Sequence, residues 1–401
     1  MKEDKLIPGS LIGAMLLVAG SCVGAGMLAL PVLTGLCGFT LAVILLFLAW
    51  GFMTYTALLL LEINGWFYKQ VNIISMAAKG FGTFGKVLSW SLYLFLFYSL
   101  LVAYIAGGSS VVSMYLGFLS TKTLMLLFTG ILAIVVFFGT KSVDFVNRIL
   151  MVGLIVTYFA MILLGFFKIE PNLLKGIRFE YVLLPLPVLI TSFGFHNMIP
   201  SLTAYLKGDL RRMRLAIIGG SAIALFIYLI WQFFVIGVVP FEGKQGLLMN
   251  FQRGKEVGSI LQVHLKNSAI VYFSQGFALF AIITSFIAQA LSLMHFIGDG
   301  LKIEKVNRNI LLLLLTFIPP LLFAMIYPSV FYQALGFAGG ICATILFGVM
   351  PALLAWIGRY NKKFTSQYHV FGSKIGLIII LAFSLIIILN ELFKLLGFAL
   401  F

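Results

Sequence analysis

Val18-Ala19-Gly20-Ser21-Cys22-Val23-Gly24-Ala25-Gly26-Met27-Leu28-Ala29-Leu30-Pro31 is the stretch on which the fold turns. It lies within an apolar run that starts near residue 8, yet it puts three glycines, a serine and a cysteine where a membrane helix should be most hydrophobic. Each interior glycine costs a helix about 1 kcal/mol against alanine, so the helix is expected to unwind here. At membrane depth such a break is tolerated only where the freed N–H and C=O groups line a cavity or find a partner. The competing reading is a small-residue packing seam along Gly20-xxx-Gly24.

A second stretch repeats the pattern. Pro187-Val188-Leu189-Ile190-Thr191-Ser192-Phe193-Gly194-Phe195-His196-Asn197-Met198-Ile199-Pro200-Ser201-Leu202 gathers hydroxyls, a glycine and a histidine at the middle of another apolar run. Pro200 removes one more N–H donor there. Two interrupted segments at matching positions point to a midplane binding site, where half-helix N-termini offer N–H groups and positive dipole to a carboxylate.

The rest of the chain supplies the frame for those breaks. Of its 401 residues 62% are hydrophobic and only 10% charged, too little polar surface for a soluble domain of this length. An all-α integral membrane protein follows, since a span needs ~20 apolar residues. Apolar runs bounded by charge or proline predict eleven spans, six of them at about 8–30, 38–61, 84–116, 123–140, 147–167 and 185–206. The other five fall at 213–238, 269–296, 309–327, 330–356 and 375–396. Spans one to five (about 8–167) and six to ten (about 185–356) have nearly equal lengths, and an odd number of spans per unit inserts the second upside down. The expectation is a 5+5 inverted repeat with broken helices 1 and 6, plus one extra C-terminal helix, in a single transporter domain over 1–401.

Net charge is +15, but the basic residues sit in short connections between apolar runs, which argues for membrane topology over nucleic acid. With Lys2 and Lys5 on the cytoplasmic side, that side collects 18 of the 27 Lys and Arg, predicting a cytoplasmic N-terminus and a C-terminus across the membrane. The first apolar run continues into further spans, so it reads as a retained helix. Cys22, Cys37 and Cys342 lack metal-site or disulfide spacing. An enzyme would need a nucleophile with a base, or a metal cluster, and no such motif is present; a channel would need a continuous pore or a ring of like charge.

Three strings carry a family resemblance. Gly20-Ser21-Cys22-Val23-Gly24-Ala25-Gly26-Met27-Leu28-Ala29-Leu30-Pro31, Thr191-Ser192-Phe193-Gly194-Phe195-His196 with Ile199-Pro200-Ser201, and Ala103-Tyr104-Ile105-Ala106-Gly107-Gly108 resemble the bacterial aromatic amino acid permeases of the hydroxy and aromatic amino acid permease family. The Leu58-Leu59-Leu60-Leu61-Glu62 end of helix two fits as well, and the likeness covers nearly the whole chain. The resemblance implies proton-driven import of Tyr, Trp or Phe across the inner membrane, on the fold of the leucine transporter. It implies no cofactor and no obligate protein partner beyond membrane lipid, with H⁺ as coupling ion and Na⁺ as the alternative. Ser109 stands where a third glycine is common, and His295, before Asp299, where family members often carry an acid.

In that fold unwound backbone holds the substrate, so the expected binding residues are Ser21, Val23, Gly24, Ala25 and Gly26 with Ser192, Phe193, Gly194, Phe195 and His196. Tyr98 and Tyr104 on helix three could reach the same cavity. His196 is either a proton relay or a fixed hydrogen-bonding residue that holds the break. Thr284 and Ser285, with Ala281 and the Gly20 and Val23 carbonyls, match the Na⁺ site of sodium-coupled relatives; the alternative is hydroxyls bonded to their own helix. Glu62, Asp144, Asp299 and Glu391 are expected as hydrated helix ends, and Lys207, Arg211, Arg212 and Arg214 as a topology anchor.

Overall fold

The glycine run does break its helix: α1 (Leu11–Cys22) and α2 (Gly26–Cys37) meet at 63° in the computed structural model. The structure describes residues 9–67, 72–265, 268–303, 306, 309–364, 366 and 368–397. Lys2, Lys5, Lys69, Lys266, Lys305 and Arg308 of the charge count, and the expected start of the first span at residue 8, lie outside them.

α3 (Phe39–Asn64) is continuous, whereas α4 (Ile73–Val112) turns at Gly82, whose φ of 65° suits glycine. α5 (Thr121–Phe137) and α6 (Thr140–Gly165) complete the first half. The second interrupted segment forms α7 (Leu186–Ser192) and α8 (Ile199–Tyr205), followed by α9 (Leu210–Val238). Two short helices, α10 (Leu247–Gln252) and α11 (Val257–Leu265), occupy a connection expected to be a loop. α12 (Ser268–Gly300), α13 (Ile310–Ile326), α14 (Phe331–Asn361) and α15 (Ser373–Leu395) finish the chain. Among the described residues there is no strand.

Among the described residues seven helices (α3, α4, α6, α9, α12, α14, α15) are long and apolar enough to cross a membrane, eight spans if the bent α1–α2 pair counts as one; α5 and α13 are shorter apolar helices. This is a multi-pass membrane protein. α1 and α3 pack along α9, while α6 and α4 pack along α12.

Two helices run through prolines, Pro31 just past the predicted end of the first span and Pro319 inside the predicted 309–327 span, and the same device explains both. Pro31 has no N–H for the Met27 carbonyl, and Trp231 Nε1 of α9 donates to it instead at 2.8 Å. Pro319 likewise leaves the Leu315 carbonyl without a donor, and the Tyr98 hydroxyl donates to it at 2.7 Å.

The helix ends are less hydrated than expected. Glu62 is fully buried: the Arg359 guanidinium forks onto both its oxygens, the Val370 N–H donates at 2.8 Å, and His369 Nδ1 lies 3.2 Å away. Such a carboxylate needs this full set of partners to remain charged in a dry place. Glu391 is 2% exposed and paired with Lys394 at 3.0 Å. Asp144 does sit at the surface, paired with Arg148 one turn on. The basic run also ties the fold internally, since Arg212 donates to the Gly9 carbonyl and Arg214 lies over the Tyr368 ring.

Candidate functional site

Between the two breaks lies a cavity of about 70 Å³. Ser21, Gly24, Ala25 and Gly26 line it from the first break, Ser192 and Gly194 from the second, Tyr104 from α4 and Ser285 from α12. Those eight residues come from segments far apart in sequence, and the sequence reading named each of them.

Local chemistry explains why this backbone is open. Val23 is extended (φ −74°, ψ 103°), so α1 ends at Cys22 and its last carbonyls look into the gap. The Ala25 N–H donates to Ser285 Oγ at 2.9 Å, while the Gly24 and Gly26 N–H groups have no partner among the described residues. Both glycines sit in close approach: a Cβ on Gly24 would displace Ser285 Oγ, and one on Gly26 would lie 2.8 Å from Ser192 Oγ. A Cβ on Gly20 would meet nothing within 4 Å, so the Gly20-xxx-Gly24 packing seam fails at its first position.

The second break closes on itself. Gly194 N–H returns to the Thr191 carbonyl, Phe195 N–H to Phe193 and Met198 N–H to Phe195. Pro200 falls in the first turn of α8, where a missing N–H costs nothing. The buried Ser192 hydroxyl lines the cavity and has no hydrogen-bond partner among the described residues.

Tyr228 of α9 joins the two breaks. Its hydroxyl lies 2.6 Å from the Cys22 carbonyl and 2.8 Å from the Ser192 carbonyl, the final residues of α1 and α7. One hydroxyl carries one hydrogen, so the two carbonyls share a single donor.

Several expected site residues stand elsewhere. Phe193 and Phe195 are fully buried outside the cavity, Phe193 edge-on to Tyr228 at 5.2 Å. His196 also lies behind the break, bonded to Thr56 at 2.9 Å and stacked 4.7 Å from Phe347. Large side chains at the break turn into the packed helices, and the small residues leave their backbone facing the cavity. Tyr98 is spent on Leu315. Thr284 hydrogen-bonds the Phe280 and Ala281 carbonyls of its own helix, the alternative reading of that pair, so Ser285 alone of the two reaches the break. Gly20, Val23 and Ala281 do not line the cavity.

The lining residues that escaped the sequence reading as site residues include Phe347, Gln289, Asn197 and Thr191. Gln289 follows Ser285 by one turn on the same face of α12, a legible signal, and its amide has no hydrogen-bond partner among the described residues. Asn197 accepts from the buried Tyr93 hydroxyl at 2.7 Å and also lines a second cavity of about 230 Å³ with His295 and Asp299. It therefore sits between the central cavity and one end of the molecule. Phe347 comes from a π-helical stretch of α14, Ala338–Val349, whose widened turns no periodicity in the sequence announces.

Residues 8–391 match the tryptophan/tyrosine permease family. The chain is 33% identical to the tyrosine-specific transport system 1 of Haemophilus influenzae, over 94% of this chain and 95% of that protein. It is 31% identical to the tryptophan-specific transport protein of the same organism, over 96% of both chains. At 28% identity it also matches glutamine transporter 2 of Aliivibrio fischeri, over 95% of this chain and 99% of that protein. The chain belongs to the tryptophan/tyrosine permease family.

Proposed function

We propose that this permease is a secondary active importer of aromatic amino acids, tyrosine and tryptophan foremost, working by proton symport with alternating access. The observation that carries the reading is the cavity at the two breaks, with unpartnered Gly24 and Gly26 N–H groups on one wall and the Tyr104 and Phe347 rings on another. The substrate carboxylate meets those N–H groups at the positive end of α2, and its ammonium meets carbonyls at the negative ends of α1 and α7. The aromatic ring then lies among Tyr104, Phe347, Leu96 and Leu100.

A cavity of about 70 Å³ is tight for this cargo; a dry cavity that accepts benzene measures about 150 Å³. Binding therefore requires its walls to give, which suits a carrier that changes state with its load. On this reading the chain has eleven spans in a 5+5 inverted repeat with α15 outside it, and the bundle around α1 and α7 rocks against the remaining core helices. The protein sits in the bacterial inner membrane with its N-terminus cytoplasmic and its C-terminus periplasmic.

A second reading is a carrier of a non-aromatic amino acid such as glutamine, favoured by the free Gln289 amide at the cavity wall. The deciding experiment is uptake of labelled tyrosine, tryptophan and glutamine into proteoliposomes, under a pH gradient and then under a sodium gradient with pH clamped. Uptake driven by pH and competed by aromatic amino acids alone is expected. Uptake that needs sodium overturns the proton coupling, and uptake of glutamine alone overturns the substrate.

A further inference from the structure

Three of the chain's carboxylates are buried among the described residues, and they differ in how fully they are satisfied. Glu62 is held by Arg359, His369 and a backbone N–H, and Glu256 accepts from the Gly258 N–H. Glu391, 2% exposed in the last turns of a membrane helix, has Lys394 as its hydrogen-bonding partner and lines a separate cavity of about 300 Å³. An ionisable group buried within a membrane helix is costly and is usually kept for a function.

What surrounds Glu391 links it to the transport site. Its carboxyl carbon and oxygens pack against α14 where a Cβ on Gly336 would stand 2.6 Å from Oε1, and a Cβ on Gly340 would stand 2.8 Å from its own Cβ. Between those glycines, a Cβ on Gly339 would collide with the Pro187 carbonyl of α7. α14 is thus a glycine wedge between Glu391 on one side and α7 on the other. The next residue back from Glu391, Asn390, donates to the Leu183 carbonyl at the entrance to α7. Both neighbours end at the central cavity, α7 through Ser192 and α14 through Leu335, Ala343 and Phe347.

We propose that Glu391 is the proton-binding site of this carrier, reading the proton concentration on the periplasmic side and passing its charge state through α14 and α7 to the substrate cavity. The proposal rests on the proton-symport reading above. The step is a single proton from water in the cavity to a Glu391 carboxylate oxygen. The carboxylate becomes neutral, and the ion pair with Lys394 is lost with no covalent bond broken. The cavity holds no other charged side chain among the described residues. The titratable group facing it from α14 is Tyr332, whose hydroxyl is donated to the Lys255 carbonyl; α7 contributes Pro187 and Val188, and the 251–254 segment contributes Gln252. Proton charge on Glu391 is therefore felt by Lys394 first and by the glycine wedge next.

The test uses the full chain in proteoliposomes. Wild type must first accumulate labelled tyrosine under a pH gradient; failure there overturns the symport reading itself, independently of Glu391. A gradient of one pH unit supports about tenfold accumulation at one proton per substrate. Glu391→Gln should bring accumulation to parity while still exchanging labelled for unlabelled tyrosine, at a rate that no longer varies with external pH; Glu391→Asp should restore both. Wild-type accumulation or an unchanged pH profile in Glu391→Gln overturns the proposal. Should that variant fail to insert, Lys394→Met decides: removing the ion-pair partner changes the pH profile of exchange if Glu391 takes the proton, and an unchanged profile overturns the assignment.

Discussion

The two breaks are built differently. The first depends on other helices: α12 accepts its Ala25 N–H, and α9 supplies Tyr228 to the Cys22 carbonyl and Trp231 to the Met27 carbonyl. The second also has outside partners, Tyr228 on Ser192, Thr56 on His196 and Tyr93 on Asn197, but adds a local turn closed by bonds among Thr191, Phe193, Gly194, Phe195 and Met198. A break held by neighbours changes when they move, whereas one closed on itself moves as a unit. On the transport reading proposed above, the contrast gives shape change to the first break and the more rigid presentation to the second.

The sharpest way to break this comparison is Gly24→Leu. A side chain there displaces the Ser285 hydroxyl and fills the cavity, so tyrosine uptake should fall to background while the protein still reaches the membrane, checked by uptake against surface quantity. Transport by this variant would place the substrate elsewhere. Tyr228→Phe comes next, because it removes the one donor shared by the breaks. A buried carbonyl left unpaired costs about 1–3 kcal/mol, so the thermal midpoint in detergent should drop and uptake with it.

His196→Gln separates structure from relay. His196 stands outside the cavity against Thr56 and Phe347, so the variant should slow uptake through lost packing but leave its pH profile in place. A flattened profile would return the proton to the second break. The smallest effect belongs to Thr284→Val, whose hydroxyl is turned onto its own helix. Uptake should stay within about twofold of wild type under either gradient, as befits a back-bonded hydroxyl.

What could be read from the sequence divides along the same physical line. Gly24 and Gly26 were legible because helix propensity is local, whereas Ser285 was read only as half of the Thr284-Ser285 hydroxyl pair of an ion site. The direction of Phe193, Phe195 and His196 was not, because residues in a break follow no helical or strand period. Tyr98 and Glu62 were misjudged for another reason. Their partners, Leu315 and Arg359, lie 217 and 297 residues away, and nothing in either neighbourhood announces them. Gln289 was legible and passed over: it sits one turn from Ser285, on the face already assigned to an ion site.

The Trp231 bond to Met27 also dates the molecule's assembly. Its two ends are 204 residues apart, and at about 5–20 residues per second a ribosome takes roughly 10–40 s to cover that distance. Until α9 arrives, α2 waits in the bilayer with a proline-orphaned carbonyl and no donor from the rest of the chain. The nascent protein must shelter that segment in the insertion machinery, or in water at the bilayer edge, and truncation before Trp231 should leave the first span unusually easy to extract.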